Sequence, residues 1–210
     1  MEKLKSTLPN MLLSLTITCV VAGAILASVN DMTAGAIAAS KAAALETAIK
    51  EVVPEFNNKP VEEAYMSAAS TGDSLRIYPA KMDGELVGAA VESFSNSGFS
   101  GEIRVIVGFN TEGKITNYSV LQHSETPGLG SKMQEWFRTD RNKQSIIGRS
   151  VGDGLKVSKD GGDVDAITAA TISSRAFLDA VNRAYSAFAQ VDAAGGATSS
   201  HQTEGGNSDE

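Results

Sequence analysis

Cysteine, histidine and aromatic residues are scarce in this chain. Cys19 is the sole cysteine among 210 residues. One thiol excludes an internal disulfide, a cysteine-built zinc site and an iron–sulfur cluster. The two histidines are His123 and His201, the second in a polar tail, which argues against a histidine-based metal site. Basic side chains are also short: 18 Lys and Arg face 25 Asp and Glu, for a net charge of −7, and aromatics make up 6%. A nucleic-acid binder needs a basic face to neutralise phosphates and often aromatic platforms for bases. No nucleic-acid partner is therefore expected, and no metal. With no metal or cluster site expected, any redox chemistry has to come from an organic cofactor. What remains is a globular composition, 42% hydrophobic and 20% charged, at a length that suits one domain with appendages.

Charge is absent altogether between Ser6 and Asn30, and Met11 to Val29 is almost continuously apolar. A spanning helix needs roughly 20 such residues, so the segment 10–30 reads as a transmembrane helix. Lys3 and Lys5 precede it and Asp31 and Glu46 follow it. The positive-inside tendency places residues 1–9 in the cytoplasm and the main domain outside. Ala36-Ile37-Ala38 resembles a cleavage site, but the apolar core is long for a signal peptide, whose core runs to roughly 7–15 residues. Lipidation of Cys19 is disfavoured by Thr18 before it and by the apolar sequence beyond it. Without Lys3, Lys5 and Glu2 the remainder has 16 basic and 24 acidic side chains, a charge of −8. Attachment to anionic lipid must therefore rest on the helix rather than on charge.

The external part divides by pattern. Residues 31–73 read as a membrane-proximal helical segment. In it a helix over Thr33–Val53 ends at Pro54, and a second short helix lies around Val61–Ala68. Residues 74–190 read as one domain. Leu75–Tyr78, Glu85–Ser93, Glu102–Phe109 and Lys114–Leu121 alternate as strands, with turns at Asp83-Gly84 and Thr111–Gly113. Leu155–Val157 reads as a further short strand. A helix from about Arg175 to Gln190, capped by Ser173 or Ser174, carries the apolar stripe Phe177, Val181, Ala184 and Phe188. The predicted class is α+β: one N-terminal transmembrane helix, then an extracytoplasmic domain with a mostly antiparallel sheet and packed helices. The last twenty residues, 191–210, hold four acids and no bases and read as a disordered acidic tail.

Two segments in the domain suggest chemistry. Asp165 to Ser174 (DAITAATISS) gathers the hydroxyls of Thr168, Thr171, Ser173 and Ser174 around small alanines, just before a helix. Helix starts carry free N–H groups and the positive end of the helix dipole, a natural anion site. Ala169 and Ala170 let a phosphate approach the backbone. A threonine hydroxyl without a base is not nucleophilic by itself, so any modification there is performed by another enzyme. Taken alone, the segment also reads as a plain helix cap. The second segment, His123 to Gly130 (HSETPGLG), is a tight loop. Pro127 fixes one backbone angle, and Gly128 and Gly130 allow positive ones. His123, Ser124, Glu125 and Thr126 offer polar groups for a pocket, with Leu129 as an apolar lid; alone, this loop reads equally well as a structural turn.

Together with the single N-terminal span, the two segments resemble the FMN-binding domains of membrane electron-transport subunits. The likeness is greatest to the G subunits of Rnf ion-translocating electron-transport complexes and extends to the C subunits of the sodium-pumping NADH:quinone reductase. It rests on Glu125–Gly130 (ETPGLG) and on a flavinylation sequence filled by Asp165, Thr168, Ala169, Ala170 and Thr171, with Ala169 where the family more often has Gly. The resemblance implies FMN held covalently on Thr171 by a phosphoester bond, installed by a flavin transferase that uses FAD and a magnesium ion. It implies Thr168, Ala170, Ser173, Glu125, Thr126, Leu129 and Gly130 as further cofactor contacts. It implies an electron-relay subunit of a ferredoxin:NAD-type translocase in a bacterial cytoplasmic membrane, partnered by the other membrane subunits and inactive alone. Two rival expectations stand beside it: a quinone-reductase-type flavin carrier, and an anchored scaffold without redox chemistry.

Overall fold

The computed structural model describes residues 7–198, with side chains through residue 190. Two compact units divide the chain between Ala44 and Leu45. Helix α1 spans Leu8–Val52 and belongs to both. In the first unit every described residue from 7 to 44 is exposed, including Leu12, Leu15, Val20 and Leu26. An 18-residue window of this helix averages a hydropathy of 2.3 with none of it buried by protein. Such a surface is stable only against lipid or another apolar surface.

The second unit is built on a five-stranded antiparallel meander in the order β1-β2-β3-β4-β5. The strands are β1 (Tyr65–Ala68), β2 (Ser74–Met82), β3 (Glu85–Ser95), β4 (Ile103–Asn110) and β5 (Ile115–Gln122). Each short connection carries the turn chemistry that antiparallel neighbours need. Asp83 and Gly84 both take positive φ between β2 and β3, as does Gly113 between β4 and β5.

Alternation along the strands feeds two cores. Leu75, Ile77, Ala89, Val91, Val105, Val107 and Phe109 face helix α3 (Thr171–Thr198). Its stripe of Phe177, Val181, Ala184 and Phe188 is buried there. Phe177 also stacks on Phe137, with centroids 4.5 Å apart. Fully burying one such ring stabilises by about 1.5–3 kcal/mol. Phe137 directly follows α2 (Met133–Trp136), which a 3₁₀ turn at Gly130–Lys132 introduces.

The opposite face of the sheet, through Tyr78, Ala80, Ala90 and Ile106, packs against Ala48, Ile49, Val52 and Val53. The last turns of α1 are thus part of the domain core, and the domain begins at Leu45 rather than at residue 74. The approach is close: a Cβ at Gly108 would lie 1.8 Å from the Val52 carbonyl oxygen, which also accepts from Thr116 Oγ1.

Three further readings change. The short helix expected at Val61–Ala68 is a turn followed by β1, whose register pairs Tyr65 with Ile77 and Ala68 with Ser74. Ladder hydrogen bonds from a neighbouring strand outweigh local propensity there. The strand expected at Leu155–Val157 is a single parallel bridge between Val157 and Val164. Helix α3 starts at Thr171, four residues early, so Ser173 and Ser174 lie inside its first turn instead of capping it. It also continues to Thr198, into the segment read as a disordered tail; residues 199–210 of that tail lie outside the described residues.

Candidate functional site

Three loops meet at the start of α3: the β3–β4 connection, the loop after β5 and the loop leading into α3. At their junction sits the carboxylate of Glu125, 4% exposed. Its Oε2 accepts from Ser173 Oγ at 2.5 Å and its Oε1 from the Ser100 N–H at 3.0 Å. Two glycines make room for it. A Cβ on Gly98 would come within 2.7 Å of Oε1, and one on Gly130 within 2.7 Å of Oε2 and 2.6 Å of Ser173 Oγ. Gly130 is therefore required by space. Its φ is not in the left-handed region, contrary to the reason read from the sequence. Gly128 does use that region, at φ 75°. With the Leu129 N–H bonded to the Thr126 carbonyl at 3.1 Å, Thr126-Pro127-Gly128-Leu129 has the signature of a type II turn.

The loop into α3 turns in a similar way, without a glycine. The Ala170 N–H donates to the Ile167 carbonyl at 3.0 Å, and Ala169 takes φ 62°. That conformation costs an L-residue roughly 1–2 kcal/mol. The loop is held on both sides. Ser174 Oγ accepts from the Ile167 N–H at 2.9 Å and donates to the Ala170 carbonyl at 2.9 Å. Asp165 accepts from Ser158 Oγ at 3.1 Å and the Lys143 N–H at 3.1 Å through its carboxylate, and from Trp136 Nε1 at 2.8 Å through its carbonyl. Thr171 is left half-exposed at the first position of α3. Its Oγ1 accepts from Lys159 Nζ at 3.2 Å.

These loops enclose a cavity of about 340 Å³ lined by Glu125, Thr126, Leu129, Gly130, Ala170, Thr171 and Ser173, with Phe99, Ala169 and Ile172. Seven of the eight residues implied as cofactor contacts thus share one cavity. Thr168 is the exception. It lines instead a larger groove of about 720 Å³ with Trp136, Arg141 and Gln144. His123 and Ser124 do not line the cavity; His123 Nδ1 instead accepts from the Glu125 N–H at 3.2 Å. Phe99 and Ile172 escaped the sequence reading. Phe99, 68% exposed, was signalled only as a lone aromatic in a Gly/Ser loop.

The cavity's volume is at the lower end of the roughly 300–1,000 Å³ usual for small-molecule sites. One end offers the free N–H groups and positive dipole of a 28-residue helix, suited to phosphate. Phe99, Leu129 and Ile172 add exposed apolar side chains to the lining, suited to a flat aromatic ring. Gly130 and the Thr171 hydroxyl complete a lining whose chemistry suits a phosphate-bearing aromatic ligand.

Comparison with known proteins agrees. Residues 98–186, which contain the whole cavity, match the FMN-binding domain. The chain is 33% identical over 189 residues to the G subunit of the ion-translocating oxidoreductase complex of Shewanella amazonensis, covering 85% of this chain and 86% of that protein. It is 35% identical to the corresponding G subunit of Photorhabdus laumondii, covering 75% and 78%, and 34% identical to that of Escherichia coli K12, covering 75% and 80%. The chain belongs to the family of G subunits of ion-translocating oxidoreductase complexes.

Proposed function

We propose that the chain is the electron-transfer subunit of a membrane-bound ion-translocating oxidoreductase of the Rnf type, with FMN joined covalently through its phosphate to Thr171 Oγ1. The observation that carries this reading is the convergence of two loops, distant in sequence, on one cavity with that oxygen at its rim. When bound, FMN supplies one- and two-electron redox chemistry. The start of α3 receives the phosphate, and the ester leaves it a negative charge that the helix dipole favours. Phe99, Leu129 and Ile172 are the apolar side chains that would contact the ring. Glu125, through Ser173 and Ser100, fixes the loops that form the walls. No residue has to shuttle protons for an electron relay, and the chain turns nothing over by itself.

Helix α1 anchors the chain in the membrane. The lysines before it and the acids after it favour a cytoplasmic N-terminus and an extracytoplasmic domain. A covalent link suits that location, because a tethered flavin cannot diffuse away. The partners are the other membrane subunits and, during maturation, a flavin transferase. Co-expression with the transferase followed by intact-mass measurement tests the assignment. The wild-type chain gains the mass of one FMN, Thr168→Ala retains the adduct and Thr171→Ala loses it. An adduct that survives Thr171→Ala sinks the reading.

A further inference from the structure

Lys159 has an unusual place. It lies in the 3₁₀ turn Ser158–Asp160, twelve residues before Thr171. Both of its neighbours are committed. Ser158 Oγ bonds the Val164 carbonyl at 3.0 Å and Asp165 Oδ1 at 3.1 Å. Asp160 is gripped by Arg175 through two hydrogen bonds of 2.7 and 2.6 Å. The guanidinium holds the Asp160 carboxyl below its ordinary range. One tie runs to the base of the acceptor loop and the other to the first turns of α3, so the turn is fixed against both. The nearest carboxylate in sequence is thereby taken by an arginine. Among the described residues Lys159 forms no ion pair, and its ammonium faces the neutral oxygen of Thr171 at 3.2 Å. A hydroxyl is a poor match for a full positive charge. An anion bonded to that oxygen is a good one, since charge-assisted hydrogen bonds are roughly twice as strong as neutral ones.

We infer that Lys159 binds the phosphate carried by Thr171, both as it arrives and in the finished ester. This rests on the assignment of Thr171 as the FMN-bearing residue. In the transfer, Thr171 Oγ1 forms a bond to the FMN-side phosphorus of a flavin adenine dinucleotide. The pyrophosphate P–O bond breaks, adenosine monophosphate leaves, and the hydroxyl proton passes to a base on the transferase. No oxidation state changes. Lys159 donates to the incoming phosphate and then neutralises the phosphodiester, complementing the helix dipole. An arginine can do the same work from that turn, and an uncharged isostere cannot.

The test uses the full chain co-expressed with the transferase and sampled over time by intact mass. Lys159→Met should slow FMN addition roughly tenfold, while Lys159→Arg stays within about threefold of the wild type. A second readout is the phosphodiester ³¹P resonance of fully flavinylated protein. Its position should move in Lys159→Met and be restored in Lys159→Arg, a pattern a merely structural lysine would not produce. The side chain is exposed, so the unmodified variants should melt with the wild type. Addition to Lys159→Met at the wild-type rate with an unmoved resonance overturns the role of Lys159 while leaving Thr171 in place. A wild-type chain that gains no FMN mass beside an active transferase overturns the assignment of Thr171, and this inference with it.

Discussion

The two walls of the cavity are built in opposite ways. The wall from residues 125–130 is fixed by packing: a buried carboxylate holds two hydrogen bonds, and Gly130 with Gly98 leaves room for it. The wall from residues 169–171 belongs to a loop fixed from behind. Asp165 and Ser174 tie it to the domain, while Thr168 and Ala169 are exposed and Thr171 is half-exposed. A modified residue has to be reachable by another enzyme, and a reachable loop cannot be held by burial. On the proposed assignment of Thr171, the rigid wall carries the precision and the exposed wall the chemistry. Changes in the first should cost stability, and changes in the second should cost the adduct.

The sharpest break comes from Thr171→Ala. It should abolish the covalent flavin entirely, read as a missing fluorescent band on a denaturing gel, while the urea midpoint stays near that of the unmodified wild type. Gly130→Ala should do the reverse kind of damage. Its Cβ meets Ser173 Oγ and the Glu125 carboxylate, and overpacking of this sort costs about 1–3 kcal/mol. Urea unfolding should show the loss even in protein that has never met the transferase.

Tyr118 provides a reference away from both walls. Burial pushes its phenol up to about 12 from the usual 10.0, and the hydroxyl donates to the Met133 carbonyl at 2.7 Å. The folded state holds this proton longer than the unfolded chain. Its contribution is thus fully present below pH 10 and declines as pH rises toward 12, by on the order of 1 kcal/mol per pH unit. Comparing the alkaline stability of Tyr118→Phe with that of the wild type isolates this slope, which should be the same with and without flavin.

The smallest effect belongs to Ala169→Gly. Removing the strain at φ 62° gains roughly 1–2 kcal/mol, and the freer unfolded glycine returns about 0.4–1 kcal/mol of it. A net gain of about 0.5–1 kcal/mol should appear in urea unfolding. Loss of the methyl beside Thr171 should also speed FMN addition in a timed mass assay. A destabilised Ala169→Gly would show that the exposed wall relies on packing after all.

Much of the candidate site was legible in the sequence, but the reasons for its residues were only partly so. Thr171, Ser173 and Glu125 stand out because hydroxyls before a helix and a Pro-Gly loop are local patterns. Gly130 stands out for the same local reason, yet its real role is to clear space for Glu125 and Ser173. Phe99 and Ile172 carry no local pattern toward the cavity and Lys159 none toward Thr171, while Thr168, which has a local pattern, does not line the cavity.

What the sequence determined by itself is what short-range physics decides. The uncharged apolar run fixes the helix over residues 10–30, since each backbone bond closes within four residues and no partner within the domain is needed. Alternation with Asp83-Gly84 and a Gly113 turn fixes the hairpins, and a stripe at helical spacing fixes the buried face of α3. Only the tertiary structure decided that residues 61–68 end in an edge strand, that Leu45–Val53 close the far side of the sheet, and that Glu125 meets Ser173 and Lys159 meets Thr171. Those contacts join segments whose separation in sequence carries no periodic signal, and each forms only once the sheet and α3 have brought its partners together.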